Sequence, residues 1–350
     1  MAKRIERIDD KLSSLQKPTL EVLDKLFINK NDLLILAAGF EDRALGVLEQ
    51  AASVMSRDFK IIVIEYEPSL EKNKNKEICE ICQDIGAEII KLTYNRYNPE
   101  GAGGTLVDLI HKYNIEGRIF LDISAMSRLF IVQAIVAIGR TKRKFSNLNI
   151  LYSEAYGYPP DEEEVKSKIE KNKEDTIYRT MFLSSGVYDV TVVPELSSIA
   201  MQGQPIRLIA FPSFNTDQLA SLRGETYPAY FSLIHGIPPL PKDKWRPGKI
   251  KVLNHTEKIL NREDKKASTL NYQKTLDMLL EIYKSKSDKE RIIIAPTGSK
   301  MQTVAVGIFR TFMNDVQVIY PTPKKFSSPQ NYTVGFRNIY GLALDAFNIE

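Results

Sequence analysis

With 350 residues, 43% of them hydrophobic and 26% charged, the chain has the composition of an ordinary globular protein with room for two domains. No apolar run approaches the roughly 18 residues of a membrane-spanning helix, and the N-terminal stretch is charged throughout, so a cytoplasmic protein with no membrane contact is expected. The net charge of +4 suits a phosphate-bearing ligand and falls short of the clustered basicity of a duplex-binding protein.

Residues 1–30 read as an N-terminal helical segment, with Ile5, Ile8, Leu12 and Leu15 at helical spacing; packing on the protein's own body fits it better than docking elsewhere. From residue 31 to 160, strands and helices alternate. A strand at 33–38 (LLILAA) precedes a helix at 43–55, a strand at 60–66 precedes a helix at 74–85, and a short strand at 88–92 precedes a helix at 106–113. A strand at 118–123, a strongly apolar helix at 129–140 and a strand at 148–153 complete this half. Short strands made of Ile, Leu and Val are buried on both faces, as in a parallel sheet covered by helices, and the alternation gives a doubly wound fold.

Residues 161–204 read as a linker. Its charge run at 161–175 is a solvated helix or loop, and 181–200 forms an extra strand or hairpin. The second half, 205–350, repeats the first with strands at 206–211, 249–253, 291–295 and 316–320 and helices at 275–283 and 303–312. The proline- and aromatic-rich stretch at 227–247, which holds the sole Trp245, reads as an insertion acting as a lid or an interface. Registers agree between the halves. Arg118 and Arg291, which open RIFLDISAMSR and RIIIAPTGSKM, are 173 apart, Phe40 and Phe214 are 174 apart, and Tyr152 and Tyr320 are 168 apart. The expected class is α/β, two tandem Rossmann-like parallel-sheet halves related by a pseudo-repeat.

Cys79 and Cys82 lie near the end of a helical pattern, where they read as plain helix residues of a reducing compartment; a thioredoxin-like pair opens its helix instead. His111, His235 and His255 are scattered, so no metal site is expected, and no cofactor either.

Ligands of open α/β sheets gather outside the carboxyl ends of the strands, and four such ends carry polar residues. After the first strand come Gly39, Phe40, Glu41, Asp42 and Arg43; the acids suit a helix start, whereas a cation there needs an anionic partner. At the end of the second strand, Glu65 stands where a Rossmann site holds a ribose hydroxyl, although no GxGxxG fingerprint accompanies it and dinucleotide binding is disfavoured. The third end runs Asp122, Ser124, Ser127, Arg128, a candidate anion cradle that is also open to a reading as ordinary serine capping. The fourth, Thr297, Gly298, Ser299 and Lys300, is the strongest signal, with glycine for close backbone approach, two hydroxyls and a point charge at a helix start. It lacks the leading glycine and spacing of a Walker A loop.

The run Ala295-Pro296-Thr297-Gly298-Ser299-Lys300-Met301 resembles the Thr-Gly-Gly-Thr-Lys-x-Met loop of CARF domains, Rossmann-like sensors of cyclic oligonucleotides in CRISPR-linked defence. Two such halves in tandem resemble the SAVED domains of related anti-phage systems. The resemblance implies that 39–43, 211–215 and 297–300 touch the ligand, and that ring cleavage accompanies binding in some members. Ser299 replaces one glycine of the family's pair, and the first half has no Thr-Gly at the matching loop.

Three functions follow as expectations. The first is a sensor or regulator of prokaryotic antiviral defence that binds a phosphorylated nucleotide, such as a cyclic oligonucleotide, acts on a separate effector protein, and is open to forming a homo-oligomer. The second is an enzyme cleaving a nucleotide or phosphoribosyl compound, with Glu41, Asp42 or Asp122 as acid–base groups. The third is a scaffold subunit of a defence complex.

Overall fold

The computed structural model describes residues 7–52, 59–113, 115–171, 184–326 and 333–349. Ile5, the end of the helix expected at 43–55, and parts of the stretches expected at 161–175 and 181–200 lie outside them. In chain order the elements are α1 (Ile8–Ser14), β1 (Glu21–Val22), β2 (Leu33–Ala37), α2 (Gly46–Ala52), β3 (Lys60–Glu67), α3 (Asn75–Asp84), β4 (Glu88–Asn95), α4 (Ala102–Lys112), β5 (Ile119–Asp122), α5 (Arg128–Gly139) and β6 (Leu148–Ser153). There follow α6 (Glu162–Lys171), β7 (Ser184–Val192), β8 (Ile206–Ala210), α7 (Thr216–Thr226), β9 (Tyr230–Ile237), α8 (Arg246–Leu253), β10 (Arg262–Ser268), α9 (Tyr272–Lys286), β11 (Arg291–Ala295), α10 (Lys300–Phe312), β12 (Gln317–Phe326) and β13 (Ile339–Ala343).

The chain divides into two units, Gln16–Pro159 with Ser328–Glu350, and Met1–Leu15 with Pro160–Ser327. The first unit's sheet runs β1-β13-β6-β5-β2-β3-β4 and the second unit's runs β10-β9-β8-β11-β12-β7. Numbered within its unit, each set of five parallel strands has the order 3-2-1-4-5, the doubly wound Rossmann arrangement expected from the sequence. The repeat holds to the residue. Leu33 pairs with Lys60 and Ile119, while Arg207 pairs with Tyr230 and Ile292.

Sequence explains the central elements directly. Every residue of β2 is buried, as are nearly all of α5, whose start is capped by Ser127 accepting from the Phe130 amide at 3.2 Å. In the first unit, Leu34, Leu36, Ile61 and Val63 pack against Val47, Leu48, Ile78 and Cys82; in the second, Leu208, Phe231 and Leu233 pack against Leu219 and Leu222. Burying each such side chain contributes about 1.5–3 kcal/mol.

Each sheet is finished by a strand that follows the other unit's parallel set in the chain. β7, coming after the first five parallel strands, lies antiparallel to β12 in the second sheet; β13, coming after the second five, lies antiparallel to β6 in the first.

Several expectations are corrected. The boundaries at 160 and 205 do not divide the molecule cleanly, because the C-terminal strand returns to the first sheet while α1 packs on α9 in the second unit, with Lys284 Nζ 2.7 Å from Asp10. The N-terminal helix is only Ile8–Ser14, and residues 21–22 are strand. The stretch 227–247 is no insertion: Tyr230–Ile237 is β9, hydrogen-bonded between β8 and β10, and Trp245 packs on Phe214 within its own unit. Residues 249–253, read as a strand, belong to α8. The strand order needs β10 instead, whose charged sequence REDKKAS suits an exposed sheet edge. Among the described residues, no helix is long and apolar enough to cross a membrane, and no group of three His, Cys, Asp or Glu could hold a metal ion.

Candidate functional site

The carboxyl ends of the first sheet are occupied by the protein's own groups. Gly39 is buried, and a Cβ there would lie 2.7 Å from that of Ala125, so the glycine lets the loops after β2 and β5 touch. Phe40 is half-buried beside it. Arg43 finds the partner its position demands: Nε donates to Glu41 Oε2 at 2.9 Å, and Nη1 donates to the Tyr152 hydroxyl at 3.2 Å. Burial works against the charge on Arg43, but the neighbouring Glu41 carboxylate more than offsets it and holds the guanidinium protonated. Glu41 Oε2 also accepts from Thr333 Oγ1 at 2.8 Å, and burial beside Tyr158 raises the Tyr152 phenol well above its usual range. Asp42 is exposed, 3.8 Å from Lys74 Nζ.

Glu65 sits inside β3 in a 2.8 Å ion pair with the exposed Lys91. Asp122 is buried and accepts from the Ser124 amide at 2.9 Å and from its hydroxyl, while Ser124 Oγ accepts from the Ser153 amide at 2.7 Å. Both are thus tied into the turn after β5. Ser127 caps α5, and its own amide donates to the Tyr66 hydroxyl at 2.7 Å; that hydroxyl in turn donates to Ala125 O at 3.1 Å. Tyr66, Tyr94 and Phe130 form a chain of edge-on rings with centroids 5.8 and 5.0 Å apart. Arg128 is half-buried at the first position of α5. Glu41, Arg43, Asp122, Ser124 and Ser127 therefore serve the fold, contrary to the expectation of a first-half cradle with candidate acids. The Cys82 thiol is inert for a related reason, pushed up to about 12 by burial and by Cys79.

In the second sheet the same loops are held by backbone-directed bonds. Thr297 Oγ1 accepts from the Phe211 amide at 3.1 Å and donates to the Phe211 carbonyl at 2.8 Å, which latches the 211–215 loop. Ser299 Oγ donates to the Thr269 carbonyl at 2.5 Å, and the Thr269 amide donates to Ile237 O at 3.0 Å, so the ends of β9, β10 and β11 are laced together. Both hydroxyls expected to meet a ligand are thus engaged in the fold. Lys300 occupies the first position of α10, half-buried.

The group that remains available is one the sequence reading did not single out. Gln302 is 1% exposed, the third residue of α10. The Ser299 amide donates to Gln302 Oε1 at 2.9 Å, and the Gln302 amide donates to Ser299 Oγ at 3.1 Å, completing a capping box. Because the carbonyl end of the carboxamide is engaged by an N–H, the NH2 end is fixed on the other side, where it is buried and meets no acceptor among the described residues. Two glycines flank it. A Cβ on Gly298 would lie 2.4 Å from Gln302 Oε1, and one on Gly236 would lie 3.9 Å from Nε2 and 2.7 Å from Thr269 Cγ2. An unsatisfied buried donor costs about 1–3 kcal/mol, which an acceptor arriving from outside recovers. It stands at the start of a helix of 13 residues, whose first-turn amides and dipole favour an anionic oxygen. The Ser-x-x-Gln spacing of 299–302 was the signal that could have revealed it.

No family model and no curated protein matches the sequence. Among solved structures, the chain is similar to a type III CRISPR defence DNA nuclease activated by cyclic oligoadenylate, with a TM-score of 0.47 and 9% identity, covering 83% of this chain and 65% of the nuclease, less than two thirds of its length. It is also similar to the cytoplasmic domain of a prokaryotic cation chloride cotransporter (TM-score 0.25, 10% identity, 83% and 94% covered). A C2-type ketoreductase from a modular polyketide synthase follows (TM-score 0.20, 12% identity, 87% and 80% covered). None reaches a TM-score of 0.5, so function is argued from this chain's own residues.

Proposed function

We propose that this protein is a nucleotide-binding sensor of prokaryotic antiviral defence, which takes a phosphorylated nucleotide at the carboxyl edge of its second sheet and acts on a separate effector protein. The observation that carries the binding site is the buried, unsatisfied Gln302 Nε2 at the start of α10, between Gly236 and Gly298. Two sheets of Rossmann order and the resemblance of 297–301 to the CARF loop support the ligand class, and a cyclic oligoadenylate is the first ligand to test.

Gln302→Glu separates binding from folding. The new carboxylate keeps an acceptor for the Ser299 amide, as in the commonest form of the capping box, and presents an anionic oxygen where the NH2 donor was. Affinity for the nucleotide, measured by calorimetry, is expected to fall by about 10- to 100-fold, the equivalent of one bond between a neutral donor and a charged acceptor, while the melting temperature without ligand stays within about 3 °C. Unchanged affinity would remove Gln302 from the site. Chromatography of the same mixtures tests for cleavage, and accumulating linear product would make the protein an enzyme.

A further inference from the structure

The two sheets superpose by hydrogen-bond register, and at one place their contents differ in kind. Leu33 and Arg207 occupy equivalent positions, since each pairs with the first residue of the next strand (Lys60, Tyr230) and with the matching residues Ile119 and Ile292. Carried along the strands, this register sets Tyr66 on Gly236, and their partners Tyr94 and Ala267 on each other. The capping serines Ser127 and Ser299 set Phe130 on Gln302, each three residues into its helix. Where the first sheet places three aromatic rings, the second places glycine, alanine and a carboxamide.

The polar arrangement differs accordingly. In both units the amide of the capping serine needs an acceptor. In the first, it is the Tyr66 hydroxyl, whose own proton goes to Ala125 O, so nothing is left over. In the second, it is Gln302 Oε1, and the NH2 at the other end of that carboxamide is left without an acceptor among the described residues.

We infer that ligand binding is confined to the second sheet, where one acceptor group, an anionic oxygen, bonds Gln302 Nε2, and that Tyr66 is the first sheet's permanent internal occupant of the equivalent position. This rests on the nucleotide-sensor reading and narrows it: the two halves are not a matched pair of cradles, and a chain takes one such group. Tyr66 is a structural residue with no part in binding. The anionic oxygen belongs to a nucleotide or to a free phosphate, and the choice of probe separates the two.

The test titrates the full-length protein with cyclic tetra-adenylate and, separately, with inorganic pyrophosphate, reading stoichiometry and affinity by calorimetry for wild type, Tyr66→Phe and Gln302→Glu. Tyr66→Phe keeps the ring and removes only the hydroxyl. The expected result is no more than one equivalent per chain, an affinity unchanged within twofold in Tyr66→Phe, and a loss of at least tenfold in Gln302→Glu. Binding of cyclic tetra-adenylate alone marks a nucleotide site; equal binding of pyrophosphate, with the same stoichiometry and variant pattern, supports the single cradle and assigns its ligand to free phosphate. Two equivalents per chain, a tenfold loss in Tyr66→Phe, or full affinity in Gln302→Glu overturns the inference while leaving a nucleotide-binding protein. Failure of both probes to bind overturns the sensor reading, and the single cradle with it.

Discussion

The strand ends of the first sheet and those of the second solve one problem with different chemistry. Both must hold loops together where a doubly wound sheet opens. The first does so with side chains that fill and neutralise: three stacked rings, a buried Arg43–Glu41 pair, and an aspartate turned onto its own serine. The second does so with hydroxyls aimed at backbone carbonyls and with glycines that bring chains close. A packed, charge-matched edge has nothing to offer a ligand, whereas an edge of backbone bonds leaves one carboxamide half used. The pseudo-repeat thus preserved strand order and register while the two edges diverged.

Stability measurements can break this comparison. Tyr66→Ala deletes a buried ring and both bonds of its hydroxyl, and a loss of about 3–5 kcal/mol in urea unfolding is expected, as for other buried aromatics. Glu41→Ala leaves the Arg43 guanidinium buried without its carboxylate, and a loss of about 3–5 kcal/mol is expected at pH 7, read in the same way; a cost under 1 kcal/mol would show that the pair is solvated in solution. Gln302→Leu is the counterpart in the second sheet. It forfeits half of a capping box but also removes a buried donor that has no partner, so the net change is expected within about 1 kcal/mol. A cost equal to that of Tyr66→Ala would mean that the second edge is as tightly built as the first.

The smallest effect concerns pH. At the opposite end of the first sheet, burial tends to raise the Asp32 carboxyl, but hydrogen bonds from Arg118 and from the amides of Asn29 and Arg118 outweigh it and leave it below the usual carboxylate range. A depressed folded value means that Asp32 adds stability above the unfolded value of about 3.9 and loses it as pH falls through the folded value. Unfolding free energies measured between pH 6 and 3 should therefore decline more steeply in wild type than in Asp32→Asn.

Much of the architecture was legible because central parallel strands carry an unmistakable composition. LLILA, IFLD, IRLIA and RIIIA leave little choice, and a serine before an apolar run marks the starts of α5 and α10. β9 escaped because YFSLIHGI mixes serine, histidine and glycine into a buried strand, and β10 because an edge strand is charged where it faces water. Missing those two strands hid Gly236 and Thr269, and with them the surroundings of Gln302. The site loops were found, but the work done by each residue was not. Whether Ser299 or Thr297 offers its hydroxyl outward depends on carbonyls brought near by distant segments, Thr269 and Phe211, which no local pattern encodes. Arg43 came closest, since a cation at a helix start demanded a partner, and the partner stands two residues earlier.

The crossed donation of β7 and β13 also constrains how the molecule is made. A ribosome delivers all five parallel strands of the first sheet early, yet the strand that covers the β6 edge emerges only after the second unit's own parallel set has been synthesised. Until then that edge is an open template for another chain, and the nascent protein passes through its most aggregation-prone stage with half its mass already exposed to the cell.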